Sequence, residues 1–111
     1  MRAIEIQMNK AIQACINFKK GNTKVLSNRD NSLTVSEISM VYLHGNLIAM
    51  VGDTWIRLFD GGWRTATTKS RLNAILSAHG NGERIYQKDF TWYLAQPGKD
   101  PIPFHNGIRL D

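Results

Sequence analysis

Apolar residues recur at three- and four-residue spacing near the start of the chain. They are Ile4, Met8, Ala11, Ile12, Cys15 and Ile16. This spacing places them on one side of an α-helix, and it predicts a helix over residues 3–19. Lys19 and Lys20 suit the negative C-terminal end of a helix, and Gly21 can adopt the left-handed conformation that often ends one.

From Thr23 onward the apolar pattern becomes shorter and is typical of strands. We predict a strand at 23–27, a turn at 28–31 and an extended segment at 33–44. Gly45-Asn46 and Gly52-Asp53 then separate apolar runs, as two-residue hairpin turns do. The pattern therefore predicts a three-stranded meander over about 38–44, 47–51 and 54–59.

The register across these turns assigns the side chains of the meander to two faces. One face would carry Val41, Leu43, Ile48, Met50, Trp55, Arg57 and Phe59, and the other Tyr42, Leu47, Ala49, Val51, Ile56 and Leu58. Both sets are largely apolar, whereas an antiparallel sheet usually has one solvated side. Either a helix covers each face, or one face meets another subunit or a ligand.

A second helix is predicted after the meander, at about residues 67–79. The Thr67 hydroxyl could accept a hydrogen bond from a free first-turn amide, and Gly80 would end the helix. Further strands are expected at 85–87, 90–94 and 107–110, the first two joined by a Lys88-Asp89 turn. The expected fold class is α+β: an N-terminal helix, an antiparallel sheet of about six or seven short strands, and a second helix. A chain of 111 residues suits a single domain spanning 1–111.

The net charge of +5 is concentrated at the start of the chain. Residues 1–29 carry six basic side chains and one acidic one, and residues 30–111 carry eight of each. Clustered positive charge suits an anionic partner, either nucleic acid or an acidic host protein. A solvated basic helix kept soluble by its lysines would explain the same pattern.

Cys15 is the only cysteine, so no intramolecular disulfide can form. No apolar stretch approaches the roughly 20 residues that span a bilayer. We therefore expect a cytoplasmic protein that does not enter a membrane.

The segments His44–Ala49 (HGNLIA) and 62–75, with its Gly-Trp, Thr-rich, Arg-Leu-Asn-Ala sequence, resemble a group of small proteins encoded by tailed bacteriophages. The resemblance covers about residues 8–110 and includes Trp92-Tyr93-Leu94 and Pro103-Phe104 with Gly107. It implies a phage product that acts inside a bacterial cell, where short proteins often bind nucleic acid or block a host machine. It brings no catalytic or binding residue with it.

The segment 61–71 is the strongest candidate for contact with phosphate. Hydroxyls, free first-turn amides and cations converge there, and a helix N-terminus attracts anions. A nucleotide-binding P-loop is disfavoured because Thr68 stands where a glycine is required. The alternative is a capped helix with Trp63 packed on the sheet. The predicted nucleic-acid-binding residues are Lys10, Lys19, Lys20, Lys24, Arg57, Arg64, Thr67, Thr68, Lys69 and Arg71.

Aromatic side chains offer a second candidate chemistry. Rings beside cations can stack unpaired bases, and Trp55 and Phe59 flank Arg57, while Tyr86, Trp92 and Tyr93 follow later. Large aromatics at strand spacing also fill cores, so both interpretations stay open.

The histidines do not indicate a metal site or a catalytic one. His44, His79 and His105 have no neighbouring cysteine or carboxylate at ligand spacing. We expect no cofactor and no enzyme activity. The leading hypothesis is a non-enzymatic phage accessory protein that binds nucleic acid through a basic surface. The alternatives are an inhibitor that binds a host protein, for anti-defence or host takeover, and a small virion or assembly component that self-associates, for example as a homodimer.

Overall fold

The computed structural model describes residues 1–28 and 37–111 of the chain. Its elements are α1 (Ala3–Ala14), β1 (Phe18–Lys20), β2 (Thr23–Asn28), β3 (Ile38–Leu43), β4 (Asn46–Val51), β5 (Ile56–Leu58), α2 (Ala66–His79), β6 (Arg84–Lys88), β7 (Thr91–Ala95), β8 (Ile102–Pro103) and β9 (Ile108–Leu110). Within the described residues, the strands form two antiparallel sheets, ordered β1-β2-β3-β4-β5-β9 and β6-β7-β8. This confirms the predicted α+β class with its two helices. No helix of the described residues is long and apolar enough to cross a membrane.

Helix α1 is shorter than the sequence pattern predicts. Cys15 adopts a left-handed conformation with φ of 56° and ends the helix directly after Ala14. The chain can then turn back, and Phe18–Lys20 pairs with Thr23–Val25 as the edge strand of the larger sheet. The predicted helix was therefore wrong beyond residue 14, because Lys19 and Lys20 lie on a strand and Gly21 lies in a hairpin turn.

Three turn and cap predictions are displaced by one or two residues. The first meander turn is His44-Gly45, where both φ angles are positive, and Asn46 already begins β4. The later hairpin turn is Asp89-Phe90. Helix α2 begins after Thr65, whose hydroxyl accepts a hydrogen bond from the Thr68 amide at 3.1 Å. Most of the predicted turn at 28–31, and residues 33–36 of the predicted extended segment, lie outside the described residues.

A β-bulge in β4 changes which side chains share a face. Val41 lies opposite Ala49, but Tyr42 lies opposite Leu47, so Ile48 is an extra residue on β4. Because a one-residue slip exchanges the faces of a strand, the predicted grouping of Val41 with Met50 was wrong. The buried face instead carries Val25, Val41, Leu43, Ala49, Val51, Ile56 and Leu58.

Both helices pack on this buried face of the larger sheet. Helix α1 lies against β1 and β2, and helix α2 lies against β4 of this sheet and against β6 of the smaller sheet. The helices run side by side in the same direction: Glu5 contacts Ser70, and the Asn9 side chain donates to the Ala74 carbonyl at 3.1 Å. Of the two alternatives for the apolar faces, a helix on each face is not observed, since neither described helix covers the opposite face.

Candidate nucleic-acid interface

The face opposite the helices is built from alternate residues of successive strands. Leu26 lies opposite Met40, Met40 opposite Met50, Met50 opposite Arg57, and Arg57 opposite Arg109. Residues directly opposed in antiparallel strands point to the same side. These five side chains therefore form one row across the sheet, with apolar residues at one end and two cations at the other.

A second row runs beside the first, nearer to the turns. Lys19 lies opposite Lys24, Lys24 opposite Tyr42, and Tyr42 opposite Leu47. We call the two rows together the open face; it consists of Lys19, Lys24, Leu26, Met40, Tyr42, Leu47, Met50, Arg57 and Arg109. All of these side chains are partly or fully exposed.

Two pairs of like charges oppose each other directly on the open face. They are Lys19 with Lys24 and Arg57 with Arg109. Like charges in this position destabilise a sheet, by a few tenths of a kcal/mol to about 1 kcal/mol. Among the open-face residues there is no acid, although Asp111 reaches the Arg109 guanidinium at 2.8 Å. That ion pair is exposed on both sides, so it contributes little and can exchange for another anion.

Three of the four cations on this face make cation–π contacts with aromatic rings. The distances from the cation to the ring centroid are 4.9 Å for Lys24 and Tyr42, 5.5 Å for Arg57 and Phe59, and 5.1 Å for Arg109 and Trp55. Attraction between a cation and a ring offsets part of the repulsion between neighbouring cations. The arrangement places positive charges and partly exposed rings side by side on one surface.

Two of the residues predicted to bind phosphate lie in the interior. Arg71 is only 3% exposed, and it donates to the Glu5 carboxylate at 2.8 Å and to the Thr23 hydroxyl at 3.1 Å. Thr68 is also buried, and its amide donates to Thr65. Neither side chain can contact a partner at the surface, so the predicted convergence of cations at 61–71 does not form.

The neighbouring cation Arg64 is already engaged. Its guanidinium pairs with Asp60 at 3.3 Å, donates to the Phe104 carbonyl at 3.2 Å, and lies 5.7 Å from the Trp92 ring centroid. The alternative for this segment is half met: Thr65 caps helix α2, but Trp63 is 73% exposed and does not pack on the sheet.

The remaining predicted residues are spread over other surfaces. Lys10 is exposed on α1, in the helical layer, and Thr67 and Lys69 are half-buried near the start of α2. Lys20 is exposed but lies opposite Thr23, which is a buried residue of the helix side. Of the ten predicted residues, Lys19, Lys24 and Arg57 therefore lie on the open face.

Sequence reasoning missed Arg109, for which a signal was present. The tripeptide Ile-Arg-Leu occurs twice, at 56–58 and 108–110, and the two copies pair with each other so that their arginines coincide. A repeated strand sequence with one outward cation could have indicated that the two segments share a face.

The pKa values of Glu5 and Asp60, which form ion pairs with Arg71 and Arg64, are both shifted in the folded protein. Burial acts to raise the pKa of Glu5, but hydrogen bonds from Ser70, the Arg2 amide and Arg71 outweigh it and lower that pKa. The pKa of Asp60 is also lowered, because hydrogen bonds from the Gly62 amide and Arg64 outweigh its burial. Both groups therefore favour their charged form in the folded protein.

These lowered pKa values predict acid sensitivity. A carboxyl group whose pKa is lower in the folded state adds stability that is complete above its unfolded pKa. We expect the free energy of unfolding to fall as the pH drops below the ordinary values of 4.5 for Glu5 and 3.8 for Asp60. Urea unfolding followed by circular dichroism at pH 7, 5, 4 and 3 measures this. A midpoint that stays constant down to pH 3 would contradict it.

Fold and charge define a small α+β protein with a cationic, partly aromatic sheet face that no described helix covers. The chain matches the family described as Kyanoviridae Gp96 protein over residues 1–111, and it belongs to this family of phage proteins. Comparison with curated proteins and with solved structures gave no match. The predicted likeness to phage proteins is thus confirmed, while the particular sequence pattern that suggested it stays a prediction.

Proposed function

We propose that this phage protein is a non-enzymatic nucleic-acid-binding protein that acts in the cytoplasm of the bacterial host and holds a strand on its open face. The observation that carries the proposal is the direct opposition of Arg57 and Arg109, repeated by Lys19 and Lys24. Each pair brings two like charges together at a cost to the sheet, and this cost remains although Arg57 also donates a hydrogen bond to the Gly107 carbonyl at 3.3 Å. A phosphate bound between two such cations would replace repulsion by attraction.

The rings of Tyr42, Trp55 and Phe59, which contact cations of the open face, add a second contact that suits nucleic acid. Bases stack on aromatic side chains while cations hold the backbone, and each stacked base contributes about 1–3 kcal/mol. The sheet has six described strands, so the face spans five interstrand distances, or roughly 24 Å at about 4.8 Å each. A short strand of nucleic acid could therefore contact both cation pairs at once.

Salt-dependent binding tests the proposal. We would titrate a fluorescently labelled 12-nucleotide single strand, and the matching duplex, at two salt concentrations. Log affinity for a single strand falls with log salt by about 0.7 for each phosphate contact. The variant with both Lys19→Gln and Lys24→Gln should bind about tenfold more weakly at low salt, and its slope should be smaller by about 1.4.

The matched control removes two charges elsewhere. Lys10 on α1 and Lys99 in the loop before β8 are both exposed and lie outside the open face. The variant with Lys10→Gln and Lys99→Gln has the same net charge as the test variant and should keep most of the affinity. The proposal fails if the two variants weaken binding equally, or if the wild-type protein binds no oligonucleotide at low salt.

A host protein is the second candidate partner, because the other half of the open face is apolar. Leu26, Met40 and Met50 form a continuous row, and methionine adapts well to irregular partner surfaces. Binding to an acidic host protein would depend on a few anchoring side chains and not on counterion release. Self-association through this face is less favoured, since it would bring the same cations together. A solution mass twice that of the chain would support the self-associating alternative.

A further inference from the structure

The tip of the β6–β7 hairpin carries an aromatic residue that the fold does not explain. Phe90 has φ of 64° and follows Asp89, whose φ is 50°. Two-residue turns of this kind favour asparagine and glycine, and a bulky residue in this conformation is strained. The Phe90 side chain is also 94% exposed, so packing does not compensate for the strain.

The outward side of the same hairpin repeats the chemistry of the open face. Arg84, Tyr86 and Lys88 alternate along β6, while Ile85 between them points into the core. Tyr86 stacks on Tyr93 with their ring centroids 5.6 Å apart. The Arg84 guanidinium lies 5.9 Å from the Tyr86 centroid. A row of cation, ring and cation therefore leads towards Phe90, with Asp89 as the acid of the turn.

Helix α2 holds this hairpin in place. The Asn73 side chain donates to the Ile85 carbonyl at 2.9 Å and accepts from the Ile85 amide at 2.8 Å. The Asn73 side chain thus forms hydrogen bonds with both the amide and the carbonyl of Ile85, near the start of the hairpin. The hairpin is attached to a helix of the core, so the position of its outward row is fixed relative to that helix.

We infer that the β6–β7 hairpin is a second binding site for nucleic acid, in which the Phe90 ring stacks on an unpaired base and Arg84 and Lys88 contact the flanking phosphates. This inference rests on the proposed function and adds a preference for single strands. The faces of paired bases are covered by their neighbours in a duplex, and an exposed ring can stack only on a base that is splayed out. A protein pocket would account for Phe90 but not for the adjoining row of cations and stacked rings.

The substitution Phe90→Asn separates a binding role from a structural one. Asparagine tolerates the left-handed conformation, so the thermal midpoint should stay the same or rise by a few degrees. Affinity for the labelled single strand should fall by roughly fivefold to a hundredfold, because one stacked base is lost. The salt slope should not change, since no cation is removed. Phe90→Trp should keep the affinity.

A matched control removes an exposed apolar side chain elsewhere. Ile16 is 51% exposed and lies beyond α1, and Ile16→Asn should leave binding unchanged. If Phe90→Asn binds like the wild type while the Lys19 and Lys24 variant is still weakened, the hairpin inference is wrong and the proposed function stands. Equal wild-type affinity for the duplex and the single strand would also overturn the inference. A wild-type protein that binds no oligonucleotide would overturn both, and Phe90 would then be an anchor for a protein partner.

Discussion

Replacing Arg71 by alanine is expected to lower the free energy of unfolding by about 3–5 kcal/mol. The substitution leaves the Glu5 carboxylate, which is only 2% exposed, without its charged partner, and it removes the donor to the Thr23 hydroxyl. A buried unpaired charge is costly because the interior cannot solvate it. Domains of this size have a total stability of about 5–15 kcal/mol, so this one contact is a large fraction of it. Urea unfolding followed by circular dichroism measures the loss.

Two further variants separate the ion pair from a general effect of changing helix α2. Lys69 lies two residues earlier on the same helix and is half-buried, and Lys69→Ala should change the free energy of unfolding by about 0.5 kcal/mol or less. Glu5→Gln combined with Arg71→Met should be more stable than Arg71→Ala alone, since no charge is then left without a partner. Equal unfolding midpoints for Arg71→Ala and Lys69→Ala would contradict the assigned role.

The interior position of Arg71 could have been predicted from the sequence by assigning every residue of the second helix, including the charged ones, to a helix face. Thr68, Arg71, Leu72 and Ile75 follow each other at the spacing of one helix face, and Glu5 stands in the same relation to Met8 and Ile12 on α1. Each helix therefore carries one charge on its apolar stripe, and the two charges are opposite. The phosphate-binding hypothesis for the segment 61–71 counted the cations near the start of the helix. It did not consider which side of the helix each cation faces.

The local sequence was sufficient to predict the helices and most of the strands, but not the pairing register between β3 and β4. The fold class, the second helix and most of the strands were predicted, because turn residues and apolar spacing act over a few positions. The bulge at Ile48 has no comparable signal, since Leu47-Ile48-Ala49 reads like any buried strand. One extra residue was enough to exchange the faces between β3 and β4, so Met50 was grouped with Val41 and not with Tyr42.

The composition of the candidate site depended on long-range pairing. Arg57 joins Arg109 only because β9 returns to pair with β5, about 50 residues later in the chain. Lys19 joins Lys24 only because α1 ends at Ala14 and leaves room for an edge strand. Propensity and spacing describe neither event, which is why Lys19 was predicted at the end of a helix and Arg109 was not predicted as a site residue.

Replacing Trp92 by alanine is expected to cost about 3–5 kcal/mol and to affect the hairpin as well as the core. The Trp92 ring is 1% exposed and meets the Phe104 ring edge-on at 5.6 Å. The backbone joins the same two residues, since the Phe104 amide donates to the Trp92 carbonyl at 2.9 Å. The Arg64 guanidinium lies over both rings, so losing the indole removes one of its two aromatic contacts.

The control for this prediction lies on the same hairpin. Phe90→Ala removes an exposed ring two residues from Trp92 and should change the free energy of unfolding by about 0.5 kcal/mol or less. Trp92→Phe should lose less than Trp92→Ala, because a smaller ring still fills part of the space against Phe104. If Trp92→Ala and Phe90→Ala unfold at the same urea concentration, Trp92 does not anchor the hairpin. The hairpin would then be held by its other contacts, which include the buried side chains of Ile85 and Leu94 and the hydrogen bonds of Asn73.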